Sequence, residues 1–132
     1  MPASNYVNTN SLLAWLQGQL SISLPSGVYV ALYLTNPTAA NTGTECSGNG
    51  YSRVYAQFGQ PTASGSSMVS SNTNTIQFPT ATGSWGTPSY FALFDAQTNG
   101  NLLYFAALPT SFAITSGMSP RFAVGALSIS ST

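Results

Sequence analysis

The strongest constraint on the fold is a change of hydrophobic period at Gly27. From this residue onward, apolar residues form short runs or alternate with polar ones, and turn residues interrupt them at short intervals. Short runs rich in β-branched and aromatic residues are typical of strands, whereas a helix needs a longer segment with a period near 3.6. The pattern predicts a mainly β domain, an antiparallel β-sandwich or a jelly-roll-like fold, with one short helix before it.

Seven segments of the chain have the composition of strands. They are residues 28–34, 51–58, 75–78, 90–95, 102–108, 112–115 and 121–129. The step Asn99-Gly100 provides positive φ at little cost, so residues 90–108 are predicted to form a β-hairpin. Residues 60–71 are dominated by Ser, Gly and Thr and are predicted to form a loop.

Before this β region, residues 8–20 carry apolar side chains at helical spacing. The stripe consists of Leu12, Leu13, Trp15, Leu16 and Leu20. Asn8, Asn10 or Ser11 is expected to cap the start of the helix by accepting a backbone N–H. We expect the stripe to pack in the core, with a groove on a partner as the less favoured alternative. With no internal repeat and no linker, residues 1–132 are predicted to form one domain, with the β part at 27–130.

Charge is nearly absent, which excludes most kinds of active site. The 132 residues include four charged ones, Glu45, Arg53, Asp95 and Arg121, and no histidine. This is 3% of the chain, against about 25% in an average soluble domain. We expect the four to form surface ion pairs of little energetic value, Arg121 with Asp95 or Arg53 with Glu45. The chain is predicted to have no enzymatic activity.

The lack of charged residues and histidine also excludes specific kinds of catalytic and metal-binding site. Two distant carboxylates do not make a tuned glycosidase pair, and one cysteine without histidine provides neither a nucleophile nor a metal site. Cys46 is expected to be a semi-buried, unreactive thiol. The glycine-rich segments 47–50 and 83–86 are followed by no lysine and are interpreted as turns. No cofactor is expected.

The composition also limits the partners. Two arginines cannot make the phosphate contacts of a nucleic-acid-binding protein. No apolar run is long enough for a membrane span, and no signal peptide is recognisable, so no membrane partner is expected. The chain is expected to be made and used in the cytoplasm, or to leave the cell by a route other than secretion. An uncharged surface favours association, and we expect the chain to pack against copies of itself.

Aromatic residues are the remaining candidates for binding without charge. Trp85 lies in a loop between glycines and is expected either to close the end of a sandwich core or to contact a partner. Strand tyrosines, including Tyr55 and Tyr104, are expected mainly on core faces. The candidate interface residues are Tyr6, Tyr51, Arg53, Trp85, Tyr90 and Arg121.

Several motifs resemble a known family of small virion structural proteins from tailed bacteriophages. The matching segments are residues 28–33, 35–38, 43–45, 50–53, 76–86, 94–96, 100–104 and 125–127. The motif FPTATGSWG at 78–86 is the most specific, followed by the tyrosine and arginine after the glycine loop at 48–50. This chain has Asn36, Ser84 and the uncharged segment 116–119 where the family commonly carries acids, so no ion site is carried over.

The family includes tail-fibre, head-fibre and capsid cement or decoration proteins. The resemblance therefore implies a non-enzymatic virion protein, expected as a homotrimer made in the host cytoplasm. One domain without a repetitive shaft favours a cement protein on the capsid surface, bridging subunits of the phage major capsid protein. The alternative is a tail or head fibre module that binds a host receptor or glycan through Trp85 and surface tyrosines.

Overall fold

The computed structural model describes residues 3–19 and 27–131. In this part of the chain one helix precedes nine strands, and all strand pairs are antiparallel. The elements are α1 (Asn5–Gln17), β1 (Val28–Tyr33), β2 (Val54–Ala56), β3 (Thr62–Ser64), β4 (Ser67–Ser71), β5 (Ile76–Gln77), β6 (Tyr90–Phe94), β7 (Leu102–Ala107), β8 (Arg121–Phe122) and β9 (Ser128–Ser131). The predicted fold class, mainly β with one short helix, is confirmed.

A four-stranded sheet with the order β2-β1-β6-β7 forms the centre of the fold. β1 is apolar throughout because both of its faces are buried: Val30 and Leu32 lie in one hydrophobic cluster, and Ala31 and Tyr33 lie in another. β6 repeats this pattern beside it, with Ala31 opposite Ala92. Continuous apolar runs of this kind are expected wherever a strand is covered on both sides.

The predicted β-hairpin is confirmed as β6 and β7. Asn99 and Gly100 have φ values of 56° and 74°, the left-handed conformation that the Asn-Gly step favours. A Cβ at Gly100 would lie 2.5 Å from Asp95 Oδ1. The Asp95 carboxylate accepts hydrogen bonds from the backbone N–H and the side chain of Asn101, at 2.7 and 3.0 Å. The turn is therefore closed by its own side chains.

Two smaller sheets, β3-β4-β9 and β5-β8, accompany the central one. The prediction of a loop at 60–71 is wrong, because β3 and β4 form a second hairpin there, with Gly65 in its turn at φ 62°. Their side chains are exposed or half-buried, and few are apolar, so the sequence shows no alternation. Backbone pairing with β9 creates this sheet instead.

The C-terminal third also differs from prediction. The expected strand at 121–129 is two strands, β8 and β9, belonging to different sheets, and the chain turns between them at Gly125 with φ 81°. The expected strand at 112–115 is reduced to one bridge between Ile114 and Gly86. Buried Asn72 stabilises this turn, because its side chain donates to the Ala123 carbonyl and accepts from the Leu127 N–H, both at 3.0 Å.

The main core lies between the central sheet and the smaller sheets. Its buried residues come from β1, β2, β5, β6 and the loops, and Phe122 of β8 and Ile129 of β9 pack against them. The aromatic rings of Phe78 and Trp85 lie at its centre, 6.4 Å apart in an edge-to-face arrangement. The second cluster covers the opposite face of the central sheet.

The helix is shifted and rotated relative to prediction. It begins after Ser4, whose hydroxyl accepts from the Val7 N–H at 3.1 Å, and it ends at Gly18 in the left-handed conformation. Asn8, Asn10 and Ser11 are thus inside the helix, so the prediction that one of them caps its start is wrong. The predicted stripe residue Leu20 lies outside the described residues. Ser4 N–H also donates to the Leu103 carbonyl at 2.9 Å, which attaches the helix to β7.

The predicted core stripe of the helix is wrong. Leu12, Trp15 and Leu16 are 59%, 87% and 75% exposed. The side of α1 that is half-buried against the fold is instead formed by Tyr6, Val7, Asn10, Leu13 and Ala14. Attachment through the segment preceding the helix sets this rotation, which leaves the larger apolar side chains outward.

Candidate functional site: a buried ion pair and the polar groove beside it

Two of the four charged residues form one largely buried ion pair. Arg53 Nε and Nη2 donate to Glu45 Oε2 and Oε1, each at 2.9 Å. Arg53 is 8% exposed. The pairing of these two residues was predicted, but as a surface contact. Two parallel hydrogen bonds in a buried setting make it a stronger and more directional contact than an exposed pair.

The remaining guanidinium contacts tie this pair to the β6–β7 hairpin. Arg53 Nη1 donates to the carbonyls of Ala96 and Asn99, at 3.1 and 2.6 Å. The guanidinium carbon lies 3.6 Å from the centroid of the Phe94 ring, a cation–π geometry. One side chain therefore joins the chain just before β2, the turn of the hairpin and the face of the central sheet.

Tyr51 completes the network around Glu45. Its hydroxyl donates to Glu45 Oε2 at 2.7 Å and accepts from the Leu32 N–H at 3.0 Å. Burial, followed by the charge of Glu45, raises the pKa of Tyr51 far above its usual value of 10.0. The same two causes raise the pKa of Tyr33 to about 12. Both phenols stay protonated at physiological pH, so they act as hydrogen-bond donors in the structure.

Neither Arg53 nor Cys46 has the properties of a reactive group. Burial alone would lower the pKa of Arg53, but the hydrogen bonds and the charge of Glu45 outweigh burial and raise it. Burial and the charge of Glu45 raise the pKa of the Cys46 thiol to about 11. The thiol is buried more completely than the predicted semi-buried position, and it is protonated near neutral pH.

The other predicted ion pair, Arg121 with Asp95, is wrong. Asp95 follows β6 and accepts hydrogen bonds from Asn101, whereas Arg121 lies exposed on β8 opposite Gln77. Within residues 3–19 and 27–131, the contact between Arg53 and Glu45 is the single salt bridge. The buried Arg53 and the half-buried Glu45 are thus paired with each other, whereas Asp95 bonds to Asn101 and Arg121 is exposed.

Trp85 lies in the core, which is the first of its two predicted roles. It is 3% exposed, and its indole N–H donates to the Asn49 carbonyl at 2.9 Å. Its ring meets Tyr51 edge-on, with centroids 5.3 Å apart. The following Gly86 has φ 90°, and a Cβ there would lie 2.8 Å from the Leu34 side chain. The motif at 78–86 therefore serves packing, and this ring has almost no area to present to a partner.

A polar groove opens beside the ion pair. Its volume is about 510 Å³, and its lining residues are Ser52, Arg53, Val54, Tyr55, Gln77, Phe78, Pro79, Thr80, Gln97 and Ser119. Tyr55 is 40% exposed and is held edge-on by Tyr29 at 5.6 Å. Because four of the five guanidinium N–H groups of Arg53 donate to Glu45, Ala96 and Asn99, the groove presents mainly amides, hydroxyls and an aromatic ring to a ligand.

Hydrogen bonds hold several of these groups in place. Gln77 Nε2 donates to Ser119 Oγ at 3.2 Å, and Ser119 Oγ donates to the Phe78 carbonyl at 2.6 Å. Gln97 Nε2 donates to the Arg53 carbonyl at 3.4 Å. The groove therefore has ordered uncharged donors and acceptors on two of its walls, an arrangement that suits a neutral polar ligand.

The six candidate interface residues do not form one patch. Tyr51, Arg53 and Trp85 lie in the connected core network, and Arg53 also lines the groove. Arg121 lies opposite Gln77, so its side chain leaves the β5-β8 sheet on the same face as a groove residue. Tyr6 is on α1, and Tyr90 begins β6, where it pairs with Ala107.

The exposed groove residues Tyr55, Gln77 and Gln97 were not among the predicted interface residues. The only sequence signal for Tyr55 and Gln77 is strand alternation, which turns a residue outward when its neighbour is buried. Tyr55 precedes the buried Ala56 in β2, and Gln77 follows the buried Ile76 in β5. Gln97 has no such signal, because its position depends on the hairpin turn. Sequence reasoning likewise placed Trp15 in the core, although it is among the most exposed large apolar side chains.

The described ranges 3–19 and 27–131 contain neither a cluster of metal-ligating side chains nor a membrane-spanning helix. No group of three or more His, Cys, Asp or Glu side chains lies close enough to hold a metal ion there. None of the helical structure in those ranges is both long and apolar enough to cross a membrane.

Comparison with known proteins places the chain in a family. No curated protein matches it. A family model described as "Podophage GP4 fiber I protein gp80" matches residues 2–130. The match covers nearly the whole chain and agrees with the predicted resemblance to phage virion structural proteins. The chain therefore belongs to the family of podophage GP4 fiber I protein gp80.

Proposed function

We propose that this protein is a non-enzymatic fibre module of a bacteriophage particle. The observation that carries the proposal is the match of residues 2–130 to a fibre protein family. The match favours the fibre alternative over the capsid cement role, because the description of the family names a fibre protein. The near absence of charge, the protonated and hydrogen-bonded Tyr51 phenol and the protonated Cys46 thiol support a structural role.

The first test is to locate the chain in the intact particle by cryo-electron microscopy. A fibre module is expected as density attached to the tail or projecting from the head at few positions. Density distributed over the icosahedral shell, in contact with the major capsid protein, would contradict the fibre role and favour the cement role. Gold-labelled antibody against the chain provides an independent measurement of position.

We further propose that the fibre contacts a neutral glycan of the host surface through the polar groove. Glycans present hydroxyl groups and apolar ring faces, which amides, hydroxyls and an exposed aromatic ring can match without charge. The lining includes all three kinds of group, in Gln77, Thr80 and Tyr55. Because the groups proposed to contact the glycan are uncharged, salt does not screen these contacts. Binding is therefore expected to change little with ionic strength.

Tyr55→Ala tests this contact, with Phe112→Ala as a matched control. The two side chains are 40% and 41% exposed, but Phe112 does not line the groove. On polysaccharide extracted from the host envelope, measured by calorimetry, Tyr55→Ala is expected to weaken binding at least tenfold and the control by less than twofold. Equal binding by wild type and Tyr55→Ala would contradict a role for the groove while leaving the fibre assignment intact.

The expected partner in assembly is the chain itself, as a homotrimer. Zero net charge and an uncharged exterior support self-association, because copies do not repel each other at long range. Sedimentation equilibrium is expected to give three times the monomer mass of 13.7 kDa. A monomer at all concentrations would contradict the proposed assembly.

A further inference from the structure

The outward face of α1 is an apolar surface that this chain does not cover. Leu12, Trp15 and Leu16 lie one helical turn or less apart and are each more than half exposed. The opposite side of the helix is half-buried and also contains apolar residues, among them Leu13. A helix with apolar residues on both sides is normally enclosed on both sides. The exposed face is therefore expected to be covered in an assembly.

A matching concavity lies elsewhere in the same chain. A cavity of about 270 Å³ opens between the central sheet and the β4–β9 pair. Its lining residues are Val28, Phe58, Pro61, Met68, Ser70, Leu93, Leu103, Tyr104 and Ile129. A cavity of about 150 Å³ with a similar apolar lining can hold benzene. The present cavity is large enough for an indole ring.

We propose that the α1 outer face of one copy docks into this cavity in a second copy, with Trp15 inserted and Leu12 and Leu16 at the rim. The inference deepens the proposed fibre role by naming the contact between copies, and it rests on that role only for its biological setting. The protruding indole and the apolar cavity each lack a partner of complementary shape within the described chain.

Charge favours a second copy over other occupants of the helix face. Helices that bind membrane surfaces carry Lys or Arg on the polar side, and residues 5–17 carry none. The same absence excludes nucleic acid. The lining of the cavity contains no charged residue, and the chain has no net charge to keep copies apart. The two surfaces are therefore both apolar and uncharged, and the cavity is large enough for the indole ring.

The contact is heterologous, because it joins two different surfaces of the same chain. Contacts of this kind close into a ring or continue as a filament. Every copy then uses both its helix and its cavity, so the area buried per chain is twice that of one contact. A Trp side chain contributes roughly 200 Å² and a standard interface requires roughly 800 Å² per partner, so two tryptophan contacts per chain supply about half of that area and Leu12, Leu16 and the cavity rim supply the rest. A ring of three agrees with the proposed homotrimer.

The contact can be measured through tryptophan accessibility and mass. Trp85 is 3% exposed and Trp15 is 87% exposed, so acrylamide quenches mainly Trp15 in the monomer. Raising the protein concentration is expected to increase the sedimentation mass and to reduce the quenchable fraction of the fluorescence by at least half, with the emission shifted to the blue. A quenchable Trp15 in the assembled state would contradict the proposal.

Variants of the two surfaces test the pairing directly. Trp15→Ala removes the protruding ring, and Ser70→Phe fills the cavity; each is expected to be monomeric alone. Their mixture is expected to form a one-to-one dimer, because the filled copy still has its helix and the other copy still has its cavity. Helix-to-helix packing would instead leave Ser70→Phe assembled with itself and Trp15→Ala monomeric, alone and in the mixture, which would overturn the proposal.

Controls separate lost contact from lost folding. Met68→Glu places a charge at a cavity residue that is 45% exposed, so it is expected to fold and yet to be monomeric. Val124→Ala removes a 62% exposed apolar side chain outside both surfaces and is expected to assemble as wild type. Assembly by folded Met68→Glu would contradict the contact. Because these measurements use purified protein, their failure is distinct from a failure to find the chain in a phage fibre.

Discussion

The two tryptophans occupy opposite environments in the same chain. Trp85 is 3% exposed, with its indole N–H bonded to Asn49 and its ring against Tyr51 and Phe78. Trp15 is 87% exposed on α1. The first fixes the fold of the single chain, whereas the second presents apolar area outward. The difference shows that an aromatic residue indicates stability or association only after its position is known.

The charged residues show the same contrast between the core and the helix. The network of Arg53 and Glu45 is buried beside the aromatic core, whereas residues 5–17 of the helix have no charge at all. Buried charge is costly unless it is paired, and here the pairing is bidentate. The core region therefore has one well-defined arrangement, and the helix region has an apolar surface with no charge to limit what packs on it.

The largest expected effect is that of Trp85→Ala. Removing a buried ring and its hydrogen bond is expected to lower the free energy of unfolding by about 3–5 kcal/mol. Urea unfolding at a concentration where the chain is monomeric measures the change. Trp85→Phe, which keeps most of the apolar volume, is the matched control and should cost clearly less. A change below about 1 kcal/mol for Trp85→Ala would contradict its place in the core.

The next effect is that of Arg53→Ala. The change leaves the Glu45 carboxylate partly buried without its cation, and the carbonyls of Ala96 and Asn99 without their donor. The expected loss is about 3 kcal/mol, measured by the same unfolding experiment. Arg121→Ala removes an exposed arginine and is expected to stay within about 0.5 kcal/mol of wild type. Equal losses for the two arginines would show that burial of the pair is not what stabilises the hairpin.

A smaller effect is expected at high pH from Cys46. Folding raises the pKa of its thiol from 9.0 to about 11, so the folded chain keeps a proton that the unfolded chain has lost. The contribution of Cys46 to the free energy of unfolding is therefore fully present below pH 9. It is lost as the pH rises toward 11, which lowers the free energy of unfolding by roughly 1–3 kcal/mol. Unfolding of wild type and Cys46→Ala at several pH values measures this difference. A decline of equal slope in both would assign it to other groups, with Tyr33 contributing between pH 10 and 12.

The smallest effect on stability is expected from Trp15→Ala. The side chain makes few contacts within the monomer, so the free energy of unfolding should change by less than about 0.5 kcal/mol. Its effect should appear in association instead, measured by the sedimentation mass. A loss of several kcal/mol in the monomer would show that the ring packs against its own chain, and the contrast between the two tryptophans would fail.

Some parts of the structure were predictable because the signal is local. The apolar run of β1, the turn at Asn99-Gly100 and the lack of charge all depend on neighbouring residues, and they predicted the fold class and the β6–β7 hairpin. The pairing of Arg53 with Glu45 was predictable because four charges leave few combinations. Its burial was not, because that depends on the hairpin turn more than 40 residues later.

Other parts depended on contacts that sequence patterns do not contain. β3 and β4 are polar strands whose pairing with β9 is made by the backbone, so their side chains show no period. Tyr55, Gln77 and Gln97 meet in one groove because three distant segments converge there. Local patterns report which surfaces must be buried, but not which distant backbone will cover them.

The sequence by itself determined a mainly β domain with one helix, a tight hairpin and an interior poor in charge, because period, turn chemistry and composition act locally. The tertiary structure decided that Trp85 is buried, that Leu12, Trp15 and Leu16 face outward, and that the one ion pair supports the hairpin. The physical reason is the attachment of distant segments: the bond from Ser4 to Leu103 sets the rotation of the helix, and the contacts of Arg53 set the position of the turn.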